Sequence, residues 1–422
     1  MKFKRLIFTL FFVIILLFSN YSFAADTELT INSEAAILMD SSTGKILFEK
    51  NSKEKRYPAS TTKILTAIIA IENCNLDDKV TASYDAVMAI PSGYSNAAIQ
   101  VGEELTIKQL LEVFLVHSAN EAGYVLAEHV GGSIESFATM MNTKAMEIGC
   151  NDTHFTNPSG IHDEDHYTTA YDLALIAKYC MQNTTFRNIV SQKSCTIPST
   201  NKYEERTFNT TNDLLKLNNT TRKDNYYYKY AIGIKTGYTS QAKNCLVSAS
   251  NKDGFELISV VLGATQTEEG LSARYIDSRN IFEYGYENYT IRKIKSKDDI
   301  VTQIDVPKAT RDTKNLNLCM SSDITALVSK SENSNGILPT ITINENISAP
   351  ISKGAIIGTI KYTIDEVEYS ADLLAANDVE KSKFGIRLFQ IILLAIVLFL
   401  LYKMISSSNK TKRKSKRIKI VY

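Results

Sequence analysis

Twenty residues near the carboxyl end, Ile386 to Ile405, contain Arg387, Gln390 and Lys403 as their main polar breaks. As a helix rising 1.5 Å per residue, this run spans about 30 Å, the thickness of one hydrocarbon core. Arg387 and Lys403 can snorkel from its ends. Seven bases follow within residues 406–422. An excess of Lys and Arg marks the cytoplasmic side of a span, so the run predicts a transmembrane helix with a cytoplasmic tail and the body of the chain outside. Its uninterrupted part, Ile391 to Tyr402, is only twelve residues. That length leaves a buried or interfacial helix open as well.

The charge distribution agrees with membrane topology signals. The 422-residue chain has a net charge of +1. Three bases precede residue 25 and nine follow residue 386, with no acid in either stretch, so residues 25–386 carry a net −11. An acidic body with basic ends argues against a nucleic-acid partner. Lys2, Lys4 and Arg5 precede the apolar run Leu6–Phe18, and Ser22-Phe23-Ala24 follows as a small-x-small cleavage pattern. Residues 1–24 therefore read as a signal peptide, with an uncleaved anchor as the alternative. The six cysteines are far apart with no CxxC; export would allow pairing, but the spacing supports no connectivity. Most of them read as small buried hydrophobes.

Ala35–Asp40 and Lys45–Glu49 flank Ser-Ser-Thr-Gly, which predicts a β-hairpin. From Ser60 the pattern becomes helical and apolar nearly all round, so this helix is expected to be buried. Helical stretches continue over Thr106–Phe114, Asn120–His129, Ile134–Ile148 and Ala170–Cys180. Strands return at Tyr230–Lys235, Cys245–Ala249 and Leu257–Gly263, followed by a helix over Leu271–Tyr284. Strands, a long helical insert, more strands and a last helix spell an α+β fold with an antiparallel sheet. Near Tyr289 helical periodicity stops. Alternation at Thr340–Ile343 and Ile360–Ile364 predicts a small all-β sandwich domain over 289–380.

The strongest chemical signal is Pro58-Ala-Ser60-Thr-Thr-Lys63. Ser and Lys three residues apart share one helix face, which brings the amine within reach of the hydroxyl. A serine hydroxyl needs an adjacent base to attack, and a lysine desolvated at the start of an apolar helix can serve. A helix N-terminus also offers N–H groups to a developing oxyanion. SxxK is common by chance, and alone it reads first as a capping serine with a surface lysine. Two later motifs change the balance: Ser118-Ala-Asn120 before a helix, and Lys235-Thr236-Gly237 at the end of a strand. SxxK, SxN and KTG in this order form the signature of penicillin-binding proteins and β-lactamases.

With these motifs the chain resembles the low-molecular-weight penicillin-binding proteins that are D-alanyl-D-alanine carboxypeptidases, serine peptidase family S11. The resemblance covers roughly residues 30–378. It extends to Val101–Thr106, Ser118–Ala122, Ala127–Gly132, Phe155-Thr-Asn-Pro-Ser-Gly-Ile161 and Lys235-Thr-Gly-Tyr-Thr239. Glu121 stands where the family usually has Asp, and Lys243-Asn244 replaces a Gly-containing pair. The resemblance implies a penicillin-binding transpeptidase-like catalytic domain over 25–288. It implies that Ser60 attacks the carbonyl between two terminal D-alanines of a peptidoglycan stem peptide, with Lys63 as general base. Ser118 would relay a proton to the leaving amine, and Asn120 would hold the substrate and orient Lys63. Lys235, Thr236 and Arg274 would meet the terminal carboxylate, Gly237 would allow close approach, and the amides of Ser60 and Tyr238 would form the oxyanion hole. β-Lactams would bind covalently, and no metal or cofactor is implied.

Three rivals compete. His162-Asp-Glu-Asp-His166 has metal-ligand spacing, but Gly160 and the acids suggest a loop and no HExxH is present. A β-lactamase would share the motifs but has no need of a β-domain or anchor. A non-enzymatic β-lactam sensor would need an intracellular effector larger than a seventeen-residue tail.

Overall fold

The computed structural model describes residues 29–217, 225–331 and 338–415. The expected signal segment, 1–24, and the tail end, 416–422, lie outside the described residues. The chain divides into two compact units between Glu287 and Asn288.

The first unit is built on a five-stranded antiparallel sheet. The predicted hairpin forms as β1 (Ala35–Asp40) and β2 (Ile46–Lys50). The other strands are β3 (Ala231–Thr239), β4 (Lys243–Lys252) and β5 (Phe255–Ala264), and the order is β2-β1-β5-β4-β3. β1 pairs with β5 in the register Ala35↔Leu262, closing a loop of more than two hundred residues. The helical insert between them contains α1 (Lys63–Asn73), α2 (Asn120–Gly131), α3 (Ile134–Ile148) and α4 (Ala170–Met181). All six residues of β1 are buried. Ala35, Ile37 and Met39 join one core with α1, α2 and α4. Leu38 lies against Gly285 of α5 (Ala273–Asn288). A strand covered on both faces reads as a continuous apolar run, which Ala-Ala-Ile-Leu-Met is.

α1 is buried from Lys63 through Ala70, eight consecutive residues. It is preceded by a 3₁₀ turn, Ala59–Thr62, so the nucleophile candidate sits on the tighter turn and Lys63 opens the α-helix. The helix expected at Thr106–Phe114 is shorter than its pattern. A capping box of Thr106 and Gln109 starts it at Ile107, and after Glu112 it widens into a π-helical turn, Val113–His117. That turn ends on Ser118 in the left-handed region, φ 71°. The strand expected to stop at Lys235 continues to Thr239, so KTG lies within β3 rather than at its end. Lys243, at the departure from the Gly-containing pair, adopts φ 57°, a conformation glycine takes without cost. The cysteines are all unpaired, and five of the six are buried.

The second unit is the all-β unit expected from alternation. Its five-stranded sheet has the order β7-β8-β12-β11-β10: β7 (Ile300–Asp305), β8 (Asn315–Met320), β10 (Thr340–Ile343), β11 (Ile356–Ile364) and β12 (Val367–Ala375). A separate pair, β6 (Tyr289–Lys295) with β9 (Ile324–Ser329), packs Ala326 and Val328 into the same core as Leu316, Leu318, Ile360 and Leu373. A helix, α6 (Phe384–Ser415), follows. Its segment Arg387–Ser406 has a mean hydropathy of 2.5 with none of it buried, long and apolar enough to cross a membrane.

Candidate active site

The three motifs converge in a cleft of about 620 Å³ in the first unit, where Ser60, Ser118, Asn120, Thr236, Gly237, Tyr238 and Arg274 all reach the lining. Lys63 and Lys235 stand behind that surface, 0% and 1% exposed. The convergence depends on close backbone packing. β3 lies against the Ala59–Thr62 turn, and a Cβ at Gly237 would stand 3.0 Å from the Pro58 carbonyl oxygen and 3.1 Å from the Ser60 nitrogen. On the other side of the turn, a Cβ at Gly160 would fall 1.8 Å from the Ala59 carbonyl oxygen. Gly160 also has φ 77°, so glycine is required there on both counts. Ala59, immediately before Ser60, is left-handed at φ 48°. Such strain is sustained only where surrounding packing enforces it.

Lys63 Nζ has three oxygen partners: Ser60 Oγ at 3.1 Å, Asn120 Oδ1 at 2.7 Å and the Ser159 carbonyl at 2.7 Å. No carboxylate is among these partners. Burial pushes the amine well below its ordinary range, the Lys235 charge adds to the shift, and Glu121 opposes it. Ser60 Oγ is thus beside an amine whose neutral form is favoured. Asn120 is held in turn: its backbone N–H and its Nδ2 both donate to the Ser95 carbonyl, at 3.0 and 2.7 Å. That double contact fixes which end of the amide faces Lys63.

The other cationic side chains converge at β3. Lys235 Nζ donates to the Thr236 carbonyl at 3.0 Å. Burial, then the Arg274 charge, lower its pKa to about 7. Arg274 donates to the Gly237 carbonyl at 3.3 Å, and its buried Nε has no hydrogen-bond partner. Thr236 Oγ1 pairs with Thr211 Oγ1 at 2.6 Å. Two buried or half-buried cations beside a hydroxyl at an open cleft make a seat for an anionic group.

Residues 22–266 match the family described as D-alanyl-D-alanine carboxypeptidase, and residues 289–381 match the C-terminal domain of penicillin-binding protein 5. The chain is 34% identical over 393 residues to the D-alanyl-D-alanine carboxypeptidase DacF of Bacillus subtilis, covering 90% of this chain and 96% of that one. Among solved structures it is similar to penicillin-binding protein 5 of Haemophilus influenzae, with TM-score 0.62, 27% identity and coverage of 83% and 98% of the two chains. It is also similar to a peptidoglycan synthesis regulatory factor (PBP3) of Streptococcus pneumoniae, with TM-score 0.70, 26% identity and coverage of 83% and 100%. The chain belongs to the D-alanyl-D-alanine carboxypeptidase family.

A D-alanyl-D-alanine carboxypeptidase is a serine-type hydrolase that binds penicillin, and this chain is one. The structure brings together all nine residues singled out from the motifs and the family resemblance, seven at the cleft lining with Lys63 and Lys235 buried behind them. Sequence reasoning missed Ser159, whose carbonyl meets Lys63, although it lies in the family-like stretch Phe155–Ile161. It missed Thr211 and the segment Ser92–Ser95, which line the cleft and carry no local signature. His162 also reaches the cleft, while His166 is buried with Nε2 against Thr62 Oγ1 at 2.8 Å and Nδ1 accepting from the Thr156 N–H at 3.1 Å. Burial lowers the His166 pKa to about 3. The two rings serve different surroundings, and among the described residues no group of three or more His, Cys, Asp or Glu is placed to hold a metal.

Proposed function

We propose that Ser60 is the nucleophile that removes the terminal D-alanine of peptidoglycan stem pentapeptides, and that neutral Lys63 is its base. The observation that carries this reading is the Lys63 amine with three oxygen partners and no carboxylate. A neutral amine donates to Asn120 and Ser159 and offers its lone pair to the Ser60 hydroxyl. Once it has taken that proton, the ammonium has a donor for each of the same oxygens, so neither state needs rearrangement. The Ser60 and Tyr238 amides receive the oxyanion, Ser118 passes a proton to the leaving amine, and water then hydrolyses the acyl-enzyme. Lys235, Thr236 and Arg274 receive the terminal carboxylate, and β-lactams acylate the same serine. The test is D-alanine release from diacetyl-Lys-D-Ala-D-Ala with and without penicillin. Release that penicillin leaves untouched would refute it.

Residues 25–288 carry the chemistry in this reading. Residues 289–380 are a spacer, 386–405 a single span, and 406–422 a cytoplasmic tail. The exposed apolar face of Arg387–Ser406 supports the span, and the bases after it support the orientation. Full-length chain should stay with membranes after an alkaline wash while chain ending at residue 380 is released. Release of both would refute the span.

A further inference from the structure

The segment Ser92–Ile99 is a strap with space on both sides. Its first half, Ser92 to Ser95, forms one wall of the catalytic cleft. Behind it lies a second cavity of about 290 Å³, lined by Ser92 and Gly93 again and by Asn96, Ala98, Ile99 and Glu121. A wall backed by a cavity is not held in place by packing alone. Ala98 on this strap is left-handed at φ 55° and Gly93 at φ 89°, so the chain changes direction repeatedly and forms no ladder.

Ala97 and Ile99 are buried in the first unit's core, Arg206 Nη1 donates to the Ala97 and Ala98 carbonyls at 3.1 and 3.4 Å, and further polar contacts add to this hold. The Ser95 carbonyl receives both N–H groups of Asn120. Two residues on, the Glu121 carboxylate receives the Ala97 amide at 2.6 Å and the Ile99 amide at 3.3 Å through Oε1. Glu121 is 2% exposed, and its other oxygen is buried without a hydrogen-bond partner. Its hydrogen bonds to other parts of the chain are therefore those two amides of the strap.

We infer that Glu121 is a positioning residue for acylation: it latches the strap at Ala97 and Ile99, so that the Ser95 carbonyl holds the Asn120 amide with its oxygen on Lys63. The inference rests on the roles proposed above for Asn120 and Lys63. The path is continuous, from the Glu121 carboxylate to two strap amides, from the Ser95 carbonyl to Asn120 Nδ2, and from Asn120 Oδ1 to Lys63 Nζ at 2.7 Å. Loosening the strap lets the Asn120 amide turn and leaves the base misaligned, and misplacement by about 1 Å can cost about 100-fold in rate.

The test is the rate of penicillin acylation in the full chain, measured with the fraction of protein finally labelled. Glu121→Leu keeps the volume and removes the acceptor; Glu121→Gln keeps the acceptor. The expected result is full labelling in both, at a rate reduced at least ~10-fold by Leu and by no more than ~3-fold by Gln. In an Asn120→Ala background, Glu121→Leu should add little further loss, because both changes act through one contact chain. A merely structural role would lower the labelled fraction and spare the rate. That result, a wild-type rate for Glu121→Leu, equal losses for Leu and Gln, or additive losses in the double variant would overturn the inference. If Asn120→Ala alone acylates normally, the reading of Asn120 fails and this inference with it. If only Glu121→Leu acylates normally, this inference fails alone. Should Glu121→Leu not fold, hydrogen exchange in the wild type decides: the Ala97 and Ile99 amides should exchange at least ~10-fold more slowly than that of Gly93, and equal rates would overturn the latch.

Discussion

The two units keep different kinds of groups in their interiors. Among the described residues, every fully buried polar or charged residue lies between Ser33 and Ser278, including Lys63, Lys235, Glu121 and Asp277. The core of the second unit, from Val306 to Val379, is apolar. Burying an amine without a carboxylate partner costs several kcal/mol unless the amine is neutral. The first unit buries Lys63 and Lys235 in that way, and among the described residues the second unit buries no charged side chain.

The comparison breaks most visibly at Ser60. Ser60→Ala should abolish both D-alanine release and covalent penicillin labelling, a loss of at least ~10⁴-fold. Label that persists would move the nucleophile elsewhere.

Lys63→Ala comes next. Acylation should slow by about 10²–10⁴-fold with the fold retained, as expected for loss of a general base. A variant acylating at the wild-type rate would show that the buried amine has no part in activating Ser60.

Lys235 sharpens the role of the second buried amine. Lys235→Ala should weaken substrates ending in a free carboxylate by about 10- to 100-fold relative to amidated ones, the loss of a charge-assisted hydrogen bond. The wild type should also show it in pH. With a free-enzyme pKa of about 7, Lys235 is charged below that value and loses its proton above it. KM for carboxylate-terminated substrates should therefore rise above about pH 7 while that for amidated ones stays flat. Equal behaviour of the two substrates would remove Lys235 from the carboxylate seat.

The smallest effect on activity is expected from the second unit. Leu318 is 0% exposed in its apolar core. Leu318→Ala should destabilise that unit by about 2–5 kcal/mol in a denaturation measurement and leave kcat/KM on a soluble peptide unchanged. A matching fall in kcat/KM would show that the β-unit takes part in catalysis.

Much of this was legible in the chain. Period-2 and period-3.6 patterns placed the hairpin, α1 and the β-unit, because strands and helices with one environment along their length carry it in their side chains. They failed where the backbone departs from a regular repeat. Thr106–Phe114 reads as one helix, yet it gives way to a π-turn after Glu112 that delivers Ser118 in a left-handed conformation. β3 runs past Lys235 to Thr239 because β4 pairs with it through Thr239↔Lys243, a long-range constraint with no local mark.

The same division runs through the site. Ser60 and Lys63 lie one helical turn apart, so their contact is local and the sequence alone determined it. The order of SxxK, SxN and KTG in the chain likewise points to the chemistry by itself. Which groups surround the amine was decided only by tertiary structure. Asn120 lies 57 positions from Lys63 and Ser159 lies 96 positions away, and each arrives through helix packing around the insert. A carbonyl such as that of Ser159 belongs to the backbone, so no side-chain type announces it. The desolvation that lowers the Lys63 pKa is a property of everything packed around it, and no short motif encodes that.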